Sequence, residues 1–195
     1  MQVLFKQGFL FLCGIFFLSI SIPPSIQAQW YGAVYHAVLA GPGIEDAILL
    51  SAEFDTSYQF SALAIGKRFY EYSENLVLEL EGQVVKHFGD QTHIEWNGVF
   101  ILRWMTFPWD QYVNTTFAFG EGLSYASKTP NIEQLHNENV SHLLNYLLIE
   151  LTVEIPQMPN FSFITRVHHR SGAYGLFHGV KGASNGVGLG IRYDF

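Results

Sequence analysis

Residues 161–171 have the sequence FSFITRVHHRS, and its side chains fall into two sets when the chain is extended. Successive side chains of a β-strand point to opposite faces. One face then carries Phe163 and Val167, whereas the other carries Arg166 and Arg170. A small water-soluble core cannot bury such arginines without partners. The stretch therefore predicts a strand with one face toward lipid and the other toward a polar interior in which charges pair.

The end of the chain repeats this division. Residues 185–195 place Val187, Leu189 and Ile191 on one face and Arg192 on the other. Turn signals separate eight candidate strands along the whole chain. These strands are residues 30–40, 58–70, 76–89, 94–107, 115–127, 142–155, 160–171 and 185–195. The predicted fold class is all-β, an eight-stranded antiparallel transmembrane β-barrel.

The inward faces of these strands carry charges of both signs. Acids lie on the third, fourth and sixth strands, and arginines lie on the fourth, seventh and eighth. They can neutralise one another in a lumen too narrow for a wide pore. Glu121 is the misfit, because it lies among the outward apolar side chains of the fifth strand. A β-bulge at Gly120 or Gly122 would turn it inward.

The lengths of the connections predict the orientation of the barrel. Outer-membrane barrels have short periplasmic turns and longer outer loops. The odd-numbered connections are long apart from 90–93, and the even-numbered ones are short, in the order 41–57, 71–75, 90–93, 108–114, 128–141, 156–159 and 172–184. A water-soluble, lipocalin-like barrel with the apolar stripes turned inward is the structural alternative. Periodicity alone does not separate the two.

Residues 1–28 have the features of a cleaved secretory signal. Lys6 is their only charge, residues 8–22 are apolar, and Ile26-Gln27-Ala28 is a suitable cleavage site. A membrane-spanning anchor is the alternative, although a span needs roughly 20 apolar residues. Cleavage leaves residues 29–195 as a single outer-membrane barrel domain and removes Cys13, the only cysteine. Thiol catalysis and cysteine metal sites are therefore not expected.

A candidate site lies at the outer end of the seventh strand. His169 and Ser171 are two residues apart on its outward face, so their Cα atoms are about 6.8 Å apart. An imidazole at this spacing can take the proton of a serine hydroxyl. Asn145 and Asn185 are outward polar residues at the same end of the neighbouring strands. The alternative is that these side chains have simply reached the lipid headgroup layer, where polar residues are ordinary.

The stretch Val167-His168-His169-Arg170-Ser171, a Gly-rich outer loop and a terminal Tyr193-Asp194-Phe195 resemble the lipid A 3-O-deacylases of Gram-negative outer membranes. Those enzymes are eight-stranded barrels with a His-x-Ser motif at the outer end of the penultimate strand, and their active site faces lipid. The resemblance implies that Ser171 is the nucleophile and that His169 is its general base.

Two positions depart from the pattern of that family. Asn185 stands where the family has its acid, and it can hold an imidazole tautomer without adding negative charge. Gly172 stands where the family commonly has an asparagine that helps to bind the oxyanion. A backbone N–H of Gly172 or Ala173 is the expected substitute.

These features lead to the hypothesis of an outer-membrane serine esterase that removes an ester-linked acyl chain from lipid A or a related glycolipid. Asn145, Val167 and Val187 would contact the substrate, with the acyl chain along the two valines. No metal or cofactor is expected, and a formal net charge of −7 does not favour a nucleic-acid partner. The expected partners are an outer-leaflet lipid and the machinery that assembles outer-membrane barrels.

The alternative hypothesis is a non-enzymatic small barrel with a structural role or a binding role for its outer loops. The loops at 41–57, 128–141 and 172–184 would then form the binding surface. The sequence makes no prediction of the oligomeric state.

Overall fold

The computed structural model describes residues 29–41, 43–136 and 138–195, so the expected signal segment lies outside the described residues. Eight antiparallel strands form one closed barrel in which each strand pairs with its neighbours in sequence and β8 pairs with β1. The strands are β1 Trp30–Ala40, β2 Phe54–Ser73, β3 Leu76–Gly89, β4 Ile94–Trp104, β5 Thr115–Ala126, β6 Leu143–Ile155, β7 Met158–Ser171 and β8 Ala183–Asp194. The predicted fold class is confirmed.

Two short α-helices lie at the end of the barrel that the loop lengths predict to be the outer one: α1, Ile44–Ile48, follows β1, and α2, Asn131–His136, follows β5. Within the described residues, no helix has the length and apolar character needed to cross a membrane. The strand with the largest departure from its predicted bounds is β2. Its pairing with β1 shifts between Val38 and Leu39, whose partners are Gln59 and Asp55. This irregularity lets β2 continue through polar residues that gave no strand signal.

The apolar stripes of the strands point away from the barrel axis. Leu63, Phe100 and Leu189 are among the exposed apolar side chains, at 66%, 66% and 70% exposure. The inward positions hold the charged residues instead. The water-soluble alternative, which required the opposite arrangement, is therefore wrong, and the outer surface is suited to lipid.

Seven of the inward charges form one connected chain of ion pairs. The guanidinium of Arg166 donates to Glu81 at 2.8 Å, and that of Arg103 donates to Glu150 at 2.8 Å. The chain runs in the order Glu81, Arg166, Glu150, Arg103, Glu79, Arg192 and Asp194. Burial of these charges is tolerated because each one is paired and hydrogen-bonded.

α2 packs into the outer mouth of the barrel. Ile132 joins the apolar cluster of the lumen that includes Phe60 and Val85. Glu133 is 2% exposed and accepts hydrogen bonds from Arg170 at 2.5 and 2.6 Å. Burial raises the pKa of the Glu133 carboxyl, and the Arg170 guanidinium opposes that shift. The outer end of the lumen is thus closed by a helix that is anchored to β7.

Glu121 lies on the outward face, where the sequence placed it, and the bulge that could have turned it inward does not form. The pairings of β5 with β4 and with β6 show no shift of register, and Glu121 remains on the exposed face. Glycine is required at positions 120 and 122 for a different reason. A Cβ at Gly122 would lie 2.0 Å from the Gly98 carbonyl oxygen, and one at Gly120 would lie 2.8 Å from Val99 Cγ2. Crowding against β4, and not a bulge, explains these two glycines.

Candidate functional site

Three adjacent strands bring the predicted site residues together at the outer end of the barrel. Ser171 on β7 is opposite Asn145 on β6, and His169 is opposite Asn185 on β8. Val167 is opposite Val187, one outward position further into the membrane. Because side chains alternate along each strand, all of these residues belong to the outward face.

His169 is held in one tautomer by a pair of hydrogen bonds. Its Nδ1 lies 2.6 Å from Asn185 Oδ1, while Asn185 Nδ2 donates to the Gly41 carbonyl oxygen at 2.6 Å. The second bond fixes the amide, because the flipped orientation would set two carbonyl oxygens against each other. Nδ1 must therefore carry a proton, so in the neutral imidazole it is Nε2 that has the free lone pair. This is the tautomer that a general base requires.

The Ser171 hydroxyl shares the outward face with this imidazole. Within the described part of the chain, no hydrogen bond joins Ser171 to His169, whose bonded ring nitrogen is Nδ1. Hydrogen bonds between a nucleophile and its base are often long until substrate binds. The structure thus places Ser171 and the oriented imidazole on one outward face, without a hydrogen bond between them in the described residues.

The backbone after Ser171 adopts an unusual conformation. Gly172 has φ −79° and ψ 6°, and it is followed by left-handed Ala173 and Tyr174, with φ 47° and 57°. Successive N–H groups converge when a right-handed residue precedes a left-handed one, which makes an anion-binding concavity. The Gly172 N–H donates to the Gly182 carbonyl oxygen at 3.2 Å. Of the two amides expected to bind the oxyanion, Ala173 is therefore the better candidate.

Close packing explains why glycine follows the serine. A Cβ at Gly172 would lie 1.9 Å from the Val180 carbonyl oxygen. We expect Gly172→Asn to lower the free energy of unfolding by about 1–3 kcal/mol, because the backbone of the loop must shift. Urea unfolding of the purified barrel in detergent micelles measures this loss.

Gly175→Asn is the matched control for that substitution. Gly175 lies in the same loop at φ 96°, and a Cβ there meets nothing within 4 Å. Asparagine tolerates positive φ better than most residues, so a smaller loss is expected at this position. Equal losses in the two variants would contradict the packing explanation for Gly172.

The site is covered, although the sequence predicted that it faces lipid directly. Val167, His169 and Asn185 are 7%, 9% and 0% exposed. Phe163 is 57% exposed on the same face of β7, so the covering is confined to the outer end. The connection after β1 supplies it: Gly41 binds Asn185, and α1 contacts β7 and β8. Strand periodicity gives the face of a residue but not the path of a loop above it.

The outward polar side chains at this end of the barrel form a polar row: Asn145, Ser171, His169, Asn185 and Glu121. Glu121 had been set aside as a misfit on the basis of the sequence. Its carboxylate interacts with the side-chain amide of Asn145. Glu121 is opposite Leu147, which is in turn opposite His169. A carboxylate on a lipid-facing surface is costly and often functional. The sequence signal that could have included Glu121 in the site was a carboxylate at an outward position, on the strand next to that of Asn145.

No family model matches this chain, and no curated protein matches it. Among solved structures, the chain is similar to the outer membrane enzyme PagL, with a TM-score of 0.52 and 15% identity over 84% of this chain and 98% of that one. It is also similar to Neisserial surface protein A, with a TM-score of 0.50 and 11% identity over 86% and 97% of the two chains.

A third solved structure is Ail, the attachment invasion locus protein of Yersinia pestis, in complex with the heparin analogue sucrose octasulfate. Its TM-score is 0.33, with 10% identity over 86% of this chain and 97% of that one. At such identities, the first two likenesses concern the fold alone. The chain therefore shares its eight-stranded barrel with PagL and Neisserial surface protein A.

Proposed function

We propose that this protein is an outer-membrane serine esterase that removes an ester-linked acyl chain from lipid A or a related outer-leaflet lipid. The observation that carries the proposal is the His169 imidazole, fixed by Asn185 with Nε2 unprotonated, on the same outward face as Ser171. The apolar exterior and the expected signal at residues 1–28 support an outer-membrane location, reached through the barrel assembly machinery.

The reaction follows from this geometry. Nε2 of His169 takes the Ser171 proton while Oγ attacks the ester carbonyl carbon. The resulting oxyanion accepts a hydrogen bond from the Ala173 N–H. The side-chain amide of Asn145, opposite Ser171 on the neighbouring strand, is a second donor. The imidazolium then protonates the departing sugar or glycerol oxygen, which leaves an acyl-serine. Water, activated by the same imidazole, releases the fatty acid and restores Ser171.

Asn185 is expected to limit the rate of the reaction. Its amide orients His169 but supplies no negative charge to stabilise the imidazolium that forms during the reaction. A rate lower than that of an enzyme with a carboxylate at this position is therefore expected.

The substrate would approach from the outer leaflet. Val167 and Val187 are adjacent on the outward face and suit an acyl chain. Since α1 contacts β7 and β8, the first outer connection must move before an acyl chain can reach the two valines. Ile48, Leu49 and Leu50 at the end of α1 are exposed, at 46%, 74% and 65%, which favours contact of this segment with lipid.

A non-enzymatic binding barrel is the second candidate. The cover over His169 and the absence of a carboxylate at position 185 favour it. In that case the outer connections would bind a partner, and the polar row beneath α1 would anchor the first connection through the bond from Asn185 to Gly41.

Mass spectrometry of lipids separates these functions. The purified barrel in detergent micelles is incubated with lipid A and, separately, with a diacyl phospholipid. Loss of one acyl chain from lipid A, with release of the free fatty acid, is the expected result. Cleavage of the phospholipid alone would retain the esterase and replace its substrate. If no fatty acid is released from either lipid, the esterase proposal is wrong and the binding function is the remaining candidate.

A further inference from the structure

A cluster of potential metal ligands lies inside the barrel, on the other side of the sheet from the candidate esterase site. His87 is near the end of β3, His93 is in the connection that follows, and Glu95 is on β4. Their ligand atoms all lie within 4.8 Å of one another. The three residues are 3%, 3% and 1% exposed.

One nitrogen in this cluster has no partner. His93 Nε2 is buried and makes no hydrogen bond to the described residues. The His93 ring stacks on His87, with 3.9 Å between ring centroids and 14° between planes. A buried polar atom without a partner is uncommon in native proteins, and an ion is one of its ordinary explanations. The orphaned nitrogen belongs to the same three-residue group that can hold an ion.

The outer contacts of the cluster are those of an organised ligand set. His87 Nδ1 accepts from Gln91 Nε2 at 2.9 Å, and Glu95 Oε1 lies 2.9 Å from His168 Nε2. Such partners orient metal-binding histidines and carboxylates. Glu95 Oε2 lies 3.2 Å from His87 Nε2, so these two ligand atoms pair with each other in the metal-free protein.

We propose that His87, His93 and Glu95 bind one divalent transition-metal ion, for which Zn²⁺ is the best match. Two imidazoles and a carboxylate are ligands that Zn²⁺ prefers. Binding replaces the pairing between His87 and Glu95. The proton of the His87 ring moves from Nε2 to Nδ1, and the Gln91 side-chain amide turns so that its oxygen accepts it. Tetrahedral Zn²⁺ ligands are about 3.3 Å apart, as bonds of about 2.05 Å require. Ligand atoms that lie up to 4.8 Å apart therefore close to this spacing when the ion binds.

The role of this ion would be structural. All three ligands are buried, and Glu95 links the cluster to His168 on β7. The ion would thus brace the hairpin of β3 and β4, which contacts β7 through Glu95 and His168. The proposal is independent of ester hydrolysis. No metal was expected from the sequence, because His87 and Glu95 meet only when this hairpin forms.

Zinc binding to the purified barrel tests the proposal directly. Chelator-treated protein in detergent micelles is titrated with Zn²⁺ or with Mg²⁺ as the control ion. Elemental analysis after removal of free metal is expected to find one Zn²⁺ per chain. The urea midpoint is expected to rise with Zn²⁺ and to stay unchanged with Mg²⁺. Wild-type protein without bound Zn²⁺ would overturn the inference.

His93→Phe is the diagnostic variant. Phenylalanine keeps the stack on His87 and removes a nitrogen that makes no hydrogen bond, so metal-free stability should not fall. The variant is expected to retain no Zn²⁺ and to show no zinc-dependent midpoint. His36→Phe, on the exposed face of β1, should bind as the wild type does. Unchanged zinc binding by His93→Phe would contradict the site. His93→Leu provides the same comparison if His93→Phe does not fold.

Discussion

Replacing Ser171 by alanine is expected to lower the rate of acyl release by about 1,000-fold or more, because the substitution removes the hydroxyl that we propose as the nucleophile. Ser171 is half-buried and makes no hydrogen bond within the described part of the chain. The free energy of unfolding should therefore change by no more than about 0.5 kcal/mol. Mass spectrometry of fatty acid released by equal amounts of folded wild-type and variant protein measures the rate.

Ser162→Ala is the matched control for this loss. Ser162 lies on the same strand, and its side chain is buried on the inward face. It is remote from the polar row, so the rate of acyl release should equal that of the wild type. If Ser171→Ala instead retains the wild-type rate while the wild type cleaves the lipid, Ser171 is not the nucleophile.

Replacing Arg166 by methionine is expected to cost about 3–5 kcal/mol of unfolding free energy. Arg166 is fully buried and donates at 2.8 Å to Glu81 and, through Nε, at 2.8 Å to Glu150. Its guanidinium also lies 4.8 Å from the centroid of the Tyr35 ring. Methionine fills similar space but leaves two carboxylates without this partner. Urea unfolding in detergent micelles measures the loss.

Arg68→Met shows whether the loss depends on close pairing, because Glu79 keeps nearer partners in Arg103 and Arg192. The Arg68 side chain is 15% exposed, and its ion pair with Glu79 is 4.0 Å long. A loss of less than about 1 kcal/mol is expected there. Adding Glu81→Gln to Arg166→Met should restore part of the stability, because it removes one unpaired buried charge. Equal losses at Arg68 and Arg166, with no restoration, would contradict the account.

The strand pattern was predictable from the sequence because lipid and lumen impose opposite chemistry on alternate residues. In β7, this alternation placed Phe163 outward and Arg166 inward, as the structure shows. The register that sets Asn185 beside His169 followed from the same counting across β7 and β8. Local periodicity was sufficient for these positions, since neighbouring strands are also neighbours in sequence.

Contacts made by the loops were not predictable in this way. The Gly41 carbonyl that fixes Asn185 is 144 residues away in sequence, and no local pattern predicts that contact. The Gly182 carbonyl that occupies the Gly172 N–H depends on how the last outer loop folds back. Glu121 was placed on the correct face but set aside as a misfit, because its neighbour Asn145 lies on another strand.

The chain of inward ion pairs also determines when the barrel can assemble. Glu79 on β3 binds Arg192 on β8, which lies 113 residues later in the sequence. Until β8 is in place, the part of this chain on β3 to β7 holds three glutamates and two arginines, so one negative charge is not compensated. A sheet that lacks β8 is therefore expected to insert poorly into the membrane. Neutralisation of the charges and closure of the ring become one cooperative step, and that step waits for the C-terminal strand.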